Sequence, residues 1–313
     1  MPLFDSFLII VGIAMLFYGA DWLVEAAAKI ATSFGIPALI VGLTLVAFGT
    51  SVPELLVSVI AASQGSSDIA LGNVVGSNVA NIGLVLGSTV LLFPIAVNKQ
   101  VVRKEMPIML GFSLLTFLLA WNGVLGRVDG LILFLGLVVF NVISVRGALK
   151  GEVDESEFDD LVDEEEVNLL LEVGRVVVGI LVLVIGAQCL VTGATSLARA
   201  AGVSELVIAL TLVAFGTSLP ELATSMVSAF RGQMDISVGN IVGSNIYNLL
   251  AVLGLTSLVK PIAVAPEVLA FELPVMLVFS FVLWPLLLSD VLGRWQGAIL
   301  FGGYLLFMTT LFI

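Results

Sequence analysis

Long runs of apolar residues recur along almost the whole chain, separated by only short polar gaps. A bilayer core of roughly 30 Å requires about 20 consecutive apolar residues in a helix. Segments such as LGFSLLTFLLAW and VVVGILVLVIGAQCLV are apolar on every side, whereas membrane strands alternate at every second residue. The pattern therefore predicts membrane-spanning helices and not a membrane barrel.

The apolar windows predict ten spans, five in each half of the chain. In the first half they lie near residues 3 to 33, 36 to 64, 68 to 95, 105 to 121 and 128 to 149. In the second half they lie near residues 170 to 200, 203 to 231, 235 to 258, 268 to 288 and 294 to 313. The first window has no basic leader and no convincing cleavage site, so we interpret it as a retained helix and not as a signal peptide.

An internal repeat relates the two halves. LTLVAFGTS from Leu43 recurs unchanged from Leu210, and DIALGNVVGSNVANIGLVLG from Asp68 matches DISVGNIVGSNIYNLLAVLG from Asp235. Both motifs keep one offset of 167 residues. Because five spans per half is an odd number, the second copy must enter the membrane from the opposite side. We therefore expect an all-α membrane protein with ten transmembrane helices in two inverted five-helix repeats, the plan of many secondary transporters.

The composition agrees with this architecture, since 59% of the residues are hydrophobic. Much of the net charge of −12 lies in one run, residues 152–166, which carries ten acids and no base. Such a run is typical of a solvated linker, although a regulatory or cation-gathering role stays open. The expected organisation is a first repeat over residues 1–150, an acidic linker over residues 151–168 and a second repeat over residues 169–313.

The second and third spans of each half are unusual for membrane helices. Pro53 and Pro220 each lack a backbone donor and clash with the preceding turn, and a glycine nearby weakens the helix further. A break in a membrane helix is tolerated only where it faces protein or a hydrated cavity. Interrupted segments at matching positions of two halves are a sequence signal for a transporter's binding site.

Two glutamates, Glu54 and Glu221, fall near the centres of these interrupted spans. An ionised carboxylate there costs several kcal/mol unless a partner compensates its charge. No arginine or lysine occupies the middle of any span, so an internal salt bridge is not available. Either the acids are kept neutral by burial, or they bind a cation or exchange it for a proton.

Several neutral oxygen ligands surround the two acids in the sequence. Thr50 and Ser51 lie within one turn of Glu54, as Thr217 and Ser218 do for Glu221. The third spans add paired side chains on one helix face, namely Ser77 with Asn81 and Ser244 with Asn248. The nearby glycine pairs Gly72 and Gly76, and Gly239 and Gly243, are explained as well by close helix packing. The duplicated set predicts an oxygen-lined cation site.

Oxygen ligands favour hard cations, and Ca²⁺ accepts six to eight of them in flexible geometry. Two carboxylates balance one Ca²⁺ or two Na⁺. Since the same glutamates cannot serve both ions together, the ions would have to alternate. We expect these ions to be cargo and not a resident cofactor.

Other functional classes fit less well. The chain has no histidine and no HExxH motif, which removes histidine-based metal sites and serine–histidine catalysis, so we expect no enzyme. The single cysteine, Cys189, excludes an internal disulfide. A channel would also use carboxylates, but inverted repeats with both acids at mid-depth favour alternating access. We expect no nucleic-acid partner, and the oligomeric state is not indicated.

The distribution of basic residues predicts the orientation. With the N-terminus outside, eight basic residues near span ends lie on the cytoplasmic side: Lys29, Lys99, Arg103, Lys104, Arg146, Lys150, Arg231 and Arg294. Three would lie outside: Arg127, Arg199 and Lys260. This prediction places the acidic linker in the cytoplasm and both termini outside the inner membrane of the cell.

GTSVPE with GSNVANIG, and GTSLPE with GSNIYNLL, resemble the paired alpha repeats of the cation/calcium exchanger superfamily, specifically its prokaryotic sodium/calcium exchanger branch. The resemblance covers essentially the whole chain. It implies antiport of Na⁺ and Ca²⁺ by alternating access, with the first and sixth spans sliding past a rigid core. The proton-coupled branch shares the fold, so exchange of Ca²⁺ for H⁺ stays an alternative.

The resemblance also implies roles for individual residues. Glu54 and Glu221 would be the central ligands, with Thr50, Thr217, Asn81 and Asn248 beside them. Backbone carbonyls would come from Ala47 and Ala214, and flanking sodium sites would be lined by Ser51, Ser77, Ser218 and Ser244. Some relatives carry aspartate in place of one asparagine, whereas both are asparagine here. The ion stoichiometry and any dependence on K⁺ or H⁺ are therefore not carried over.

Overall fold

The computed structural model describes residues 2–149, 167–203 and 214–310 and is built from helices joined by short turns. The first half contains the helices α1 (Pro2–Phe34), α2 (Ala38–Val41), α3 (Ala47–Thr50), α4 (Val52–Ser63), α5 (Ser67–Ala80), α6 (Gly87–Leu92), α7 (Met106–Ala120) and α8 (Arg127–Leu149). The second half contains α9 (Leu169–Ala200), α10 (Ala214–Gly216), α11 (Leu219–Phe230), α12 (Met234–Tyr247), α13 (Gly254–Val259), α14 (Leu273–Leu286) and α15 (Arg294–Thr310).

Within the described residues, five π-helical segments join or begin these helices: π1 (Gly42–Val46), π2 (Asn81–Leu86), π3 (Val101–Glu105), π4 (Asn248–Leu253) and π5 (Val268–Glu272). Through π2, helices α5 and α6 form one continuous helix, and π4 joins α12 to α13 in the same way. π-Helical turns are rare and are found most often at functional sites.

Six helices in the described residues are long and apolar enough to cross a membrane: Leu3–Phe34, Ser67–Leu92, Arg127–Ala148, Leu169–Ala200, Met234–Val259 and Val268–Leu286. A seventh is reached if Ala38–Thr50 and Val52–Ser63, which meet at a bend of 42°, form one broken span. The predicted helical membrane protein is thus confirmed. Helix lies in each of the ten predicted windows where residues are described, while the count of ten spans stays a prediction.

Matching elements in the two halves keep the offset of 167 residues seen in the sequence. It relates α5 to α12, π2 to π4 and π3 to π5 without any shift of their bounds. Four short strands also match: β1 (Ile95–Ala96), β2 (Val124–Leu125), β3 (Ile262–Ala263) and β4 (Val291–Leu292). β1 pairs antiparallel with β4, and β2 pairs antiparallel with β3. Each pair therefore joins one strand of the first half to one strand of the second half. Such reciprocal contacts are those of a two-fold interface.

The longest helices, α1 and α9, pack along each other through glycines. A Cβ atom on Gly12 would lie 2.7 Å from the backbone nitrogen of Leu190, and one on Gly179 would lie 3.0 Å from the carbonyl oxygen of Gly19. Only a residue without a side chain permits this approach of the two backbones. A separate core, which includes Leu71, Val75, Ile241 and Leu249, lies around α5 and α12.

The predicted linker over residues 151–168 lies outside the described residues, apart from its last two positions. Gly239 and Gly243 pack as predicted, because Cβ atoms there would lie 2.7 Å and 2.6 Å from the carbonyl oxygens of Leu39 and Leu43. The positions related to these leucines by the repeat, 206 and 210, fall outside the described residues, so the packing of Gly72 and Gly76 stays a prediction.

Candidate cation-binding site

The second span of each half is broken at one serine. Helix α3 ends at Thr50, Ser51 has φ −82° and ψ 1°, and α4 begins at Val52 with Pro53 in its first turn. The second half repeats this geometry at Ser218, with φ −86° and ψ 3° before α11. The predicted interruption is confirmed, and proline acts as the first-turn residue of the following helix.

The glutamates Glu54 and Glu221 lie in the first turns of α4 and α11 and are fully buried. Glu54 lies beside the hydroxyls of Thr217 and Ser77, while Glu221 lies beside Thr50 and the carboxylate of Glu54. None of the four carboxylate oxygens has a hydrogen-bond partner of good geometry among the described residues. Each carboxylate is near a helix N-terminus, where the backbone N–H groups favour negative charge.

The threonine before each break is buried or partly buried and contacts the opposite half. The Thr50 hydroxyl donates to Asn240 Oδ1 at 3.1 Å and lies 3.3 Å from Ser244 Oγ. The Thr217 hydroxyl donates to Asn73 Oδ1 at 3.5 Å. These reciprocal contacts bring the two broken spans and the two third spans to one point.

The third spans place their amides where the π-helical turns begin. Asn81 is the first residue of π2 and Asn248 the first of π4, and both are fully buried. Asn81 Nδ2 donates to Asn245 Oδ1 at 3.2 Å, and Asn248 Nδ2 donates to Asn78 Oδ1 at 3.1 Å. The Oδ1 atoms of Asn81 and Asn248 have no hydrogen-bond partner in the described part of the chain.

The remaining predicted residues are also close to the breaks. Ser51 and Ser218 are buried with unpartnered hydroxyls, and Ser77 and Ser244 are buried on the third spans. The carbonyl oxygen of Ala47 accepts the Ser51 N–H at 3.1 Å. Ala214 is the first residue of α10.

Eight buried oxygens of the predicted set therefore have no partner among the described residues: both carboxylate oxygens of Glu54 and of Glu221, the hydroxyls of Ser51 and Ser218, and the Oδ1 atoms of Asn81 and Asn248. Buried polar atoms are normally hydrogen-bonded, and each exception requires an explanation. The described residues contain no group of three or more acids, histidines or cysteines that could hold a metal ion. Neutral oxygens must therefore complete any cation site around this glutamate pair.

Two asparagines that contact the site, Asn73 and Asn240, are absent from the predicted set. Each donates through Nδ2 to the main-chain carbonyl of the glutamate in its own half, at 3.1 Å for Glu54 and 3.5 Å for Glu221. A sequence signal exists, because both stand in the repeated GN-x-x-GSN string. Their hydrogen-bond partners are far apart in sequence and only the fold brings them together.

The two ends of the site differ. Helix α1 packs along α11, whereas α9 makes few contacts with α4. A cleft of about 500 Å³ lies between α4 and α9 and reaches the site residue Thr217. Pro53, Ala187 and Gln188 are among the residues that line it. Thr217 is thus reached from the side of α4 and α9. On the other side α1 packs along α11, and a second cleft of about 660 Å³ lies between α1 and α9.

Broken helices that bury two acids among unpartnered oxygens are typical of the binding sites of helical membrane transporters. Residues 5–146 and 171–313 match the family model described as sodium/calcium exchanger protein. The chain belongs to the sodium/calcium exchanger family, whose members are transporters and not enzymes.

Individual relatives are similar over their full length. The inner membrane protein YrbG of Escherichia coli is 37% identical over 97% of this chain and 96% of its own. The sodium/calcium exchanger MaX1 of Methanosarcina acetivorans is 34% identical over 97% of each chain. A solved structure of the sodium-calcium exchanger NCX_Mj, soaked with zero Na⁺ and Ca²⁺, has a TM-score of 0.86 at 30% identity and covers 99% of this chain and 100% of that one.

Proposed function

We propose that this protein exchanges Na⁺ for Ca²⁺ at one central site that contains Glu54 and Glu221. The observation that carries the proposal is the buried pair of carboxylates, which have neither a salt bridge nor a hydrogen bond of good geometry among the described residues. Such a pair is costly to bury unless a cation offsets its charge. One Ca²⁺ or two Na⁺ neutralise it, so the two ions would displace each other.

The proposed ligands divide into two groups. Around the glutamates, the central group adds the hydroxyls of Thr50 and Thr217, the Oδ1 atoms of Asn81 and Asn248 and the carbonyls of Ala47 and Ala214. The flanking sodium sites would use Ser51, Ser77, Ser218 and Ser244. All of these oxygens are hard ligands, which suit both Na⁺ and Ca²⁺ and disfavour soft transition metals.

Alternating access follows from the two-fold arrangement. The reciprocal strand pairing and the constant offset of 167 residues support ten spans in two inverted repeats. Glycines let α1 and α9 pack closely against each other, and we propose that this pair moves as a unit past the broken helices. The cleft beside α9 would then close while the contact of α1 with α11 opens.

The membrane assignment combines two observations. The Escherichia coli relative is named an inner membrane protein, and the described helices of this chain are long and apolar. We propose that the chain lies in the inner membrane with both termini outside and the acidic linker in the cytoplasm. The transported ions are its only proposed ligands.

Exchange of Ca²⁺ for protons is the second candidate, because two buried carboxylates can also carry protons. Membrane vesicles containing the protein are loaded with Na⁺ and diluted into Na⁺-free buffer, and the uptake of ⁴⁵Ca²⁺ is followed. We expect uptake to depend on the Na⁺ gradient and to be lost when a pH gradient replaces it. Uptake that follows only the pH gradient would support the proton-coupled candidate, and uptake indifferent to both would reject both.

A further inference from the structure

Four buried or partly buried asparagines surround the site and donate or accept hydrogen bonds between the halves. They are called the outer asparagines here and are Asn73, Asn78, Asn240 and Asn245. Each Oδ1 atom accepts a hydrogen bond from a proposed ligand of the opposite half: Thr217 to Asn73, Thr50 to Asn240, Asn248 to Asn78 and Asn81 to Asn245. The four bonds form two pairs related by the offset of 167 residues.

The outer asparagines are themselves held in one orientation. Asn73 Nδ2 donates to Ser58 Oγ and Asn240 Nδ2 donates to Ser225 Oγ, each at 3.0 Å. Asn78 Nδ2 donates to the main-chain oxygen of Asn245 at 3.4 Å. Asn245 Nδ2 donates to Met109 Sδ at 3.8 Å. Because each of these nitrogens has its own acceptor, the Oδ1 atom of the same amide is left to accept the hydrogen bond of the ligand side chain.

This arrangement determines which atoms of the ligands face an ion. A threonine hydroxyl and an asparagine amide each carry both a donor and an acceptor, and a cation is bound only by the acceptor. When Asn81 gives its N–H to Asn245, its own Oδ1 is left free, and this atom is one of the unpartnered oxygens of the site. Outer-shell hydrogen bonds of this kind orient metal ligands in many proteins.

We propose that the outer asparagines are positioning residues that turn the lone pairs of the ligands toward the ion without binding it. The proposal rests on the function proposed above. Because each ligand is oriented by the opposite half, neither half alone would present a complete set of ion-facing oxygens. Removal of one outer asparagine would therefore weaken ion binding through one specific ligand.

A double-mutant comparison tests this specificity. Asn245→Ala is expected to raise the apparent Ca²⁺ KM or Kd by about 10- to 100-fold, the range for outer-shell substitutions. With Asn81→Ala already present, Asn245→Ala should add little, because the ligand it orients is gone. The matched control is Asn248→Ala, whose amide is held by Asn78, and here Asn245→Ala should keep its full effect.

Equal effects of Asn245→Ala in all three backgrounds would overturn the proposal. If a variant does not transport, equilibrium ⁴⁵Ca²⁺ binding to purified protein gives the same comparison. Thr50→Ala with Asn240→Ala provides a second pair. A wild-type protein without Na⁺-dependent exchange would reject the proposed function, whereas exchange with additive substitutions would reject only the positioning role.

A different observation concerns charged side chains at the covered end of the site. Arg231, which follows α11, donates through Nε to Asp21 Oδ1 at 2.6 Å, and a second nitrogen of its guanidinium contacts the same oxygen. Glu25, one turn further along α1, contacts Lys29 at 2.8 Å and Arg175 of α9 at 3.5 Å. These ion pairs join α1, α9 and the end of α11.

The corresponding residues at the open end are neutral. The offset of 167 residues relates Asp21 to Gln188, Glu25 to Thr192 and Arg231 to Gln64. Gln188 Nε2 donates to Thr192 Oγ1 at 3.2 Å, and both line the cleft. At the end with these ion pairs α1 packs along α11, and a cleft of about 660 Å³ lined by Asp21, Glu25 and Arg175 lies between α1 and α9. At the other end the cleft of about 500 Å³ lies between α4 and α9.

We infer that Asp21 and Arg231 form an ionic latch that favours the state with the cleft beside α9 open. The two residues separate only when α1 moves away from α11. Gln188 and Gln64 at the equivalent positions cannot form this ion pair, so the opposite state lacks the latch at these two positions. Alternating access in this chain would thus be biased toward one side.

Cysteine labelling tests the latch without measuring transport. Ala20 is fully buried at the closed end, whereas its repeat-related residue Ala187, 6% exposed, borders the open cleft. In a Cys189→Ser background, a cysteine at 187 should react with N-ethylmaleimide faster than a cysteine at 20. Adding Asp21→Asn should raise the labelling rate at 20 by about two- to fivefold, as expected for a partly exposed ion pair.

The reciprocal test introduces an acid and an arginine at the equivalent positions of the other end. Gln188→Asp together with Gln64→Arg should lower the labelling rate of a cysteine at 187. Unchanged rates at both positions after Asp21→Asn would overturn the latch. This result would leave the proposed exchange function untouched, because labelling reports the conformation and not the transport.

Discussion

Ion-dependent stability is the property most directly linked to the buried glutamate pair. Glu54→Gln keeps the size of the side chain and removes one of two carboxylate charges at a fully buried position. We expect Ca²⁺ to stabilise the wild-type protein and to have little effect on the variant. The physical reason is that the lost charge is one that the ion would neutralise in the folded state only.

The size of the effect follows from the burial of the site. A ligand at 100 times its Kd stabilises the folded state by about 2.7 kcal/mol. Breaking a buried charge pair costs about 3–5 kcal/mol, so the Kd should rise by at least about 150-fold. The same Ca²⁺ concentration then stabilises Glu54→Gln by only about 0.3 kcal/mol. At about 2 °C per kcal/mol, the Tm shift falls from about 5 °C to below about 1 °C.

The assay is thermal unfolding of detergent-purified protein with Ca²⁺ and with a chelator. Glu105→Gln is the matched control, since Glu105 is also fully buried but is hydrogen-bonded to Gln100 and lies outside the site. Its Ca²⁺ response should equal that of the wild type. A full Ca²⁺ shift in Glu54→Gln would refute the assignment of Glu54 as a ligand.

Three further outcomes are expected. Gly239→Ala should lower the Tm, at a cost of about 1–3 kcal/mol, because its Cβ would lie 2.7 Å from the carbonyl oxygen of Leu39. Gly111→Ala should leave the Tm unchanged, because a Cβ there would have no atom within 4 Å. Equal Tm shifts in the two variants would contradict this packing. Thr217→Val should raise the KM for Ca²⁺ whereas Thr217→Ser should not, and wild-type kinetics in Thr217→Val would exclude its hydroxyl as a ligand. Shortening residues 152–166 should leave the exchange rate unchanged, and its loss would give the acidic run a functional role.

Much of the fold could be predicted because the repeat and the apolar windows are local signals. Pro53 and its copy Pro220 predicted the break in each second span, since proline removes a backbone hydrogen bond wherever it stands. The short strands could not be predicted in the same way. Two-residue strands such as Ile95–Ala96 leave no periodic pattern, and the partner strand of this one begins at Val291.

The candidate site was predictable in residue type and not in orientation. Glu54 could be selected because a carboxylate within an apolar window is conspicuous. The role of Asn240 depends on a hydrogen bond to Thr50, 190 residues away, which only the packed halves create. The π-helical turn at Asn81 leaves no mark in the sequence either, because it is a shift of backbone hydrogen bonds within an otherwise ordinary helix.

The central claim is that the two halves each supply one indispensable charge to a single exchange site. The most direct test is Na⁺-gradient-driven ⁴⁵Ca²⁺ uptake by vesicles that contain equal amounts of wild type, Glu54→Gln or Glu221→Gln. We expect Na⁺-dependent uptake by the wild type and none by either variant. Uptake that persists with its Na⁺ dependence in either variant would contradict it.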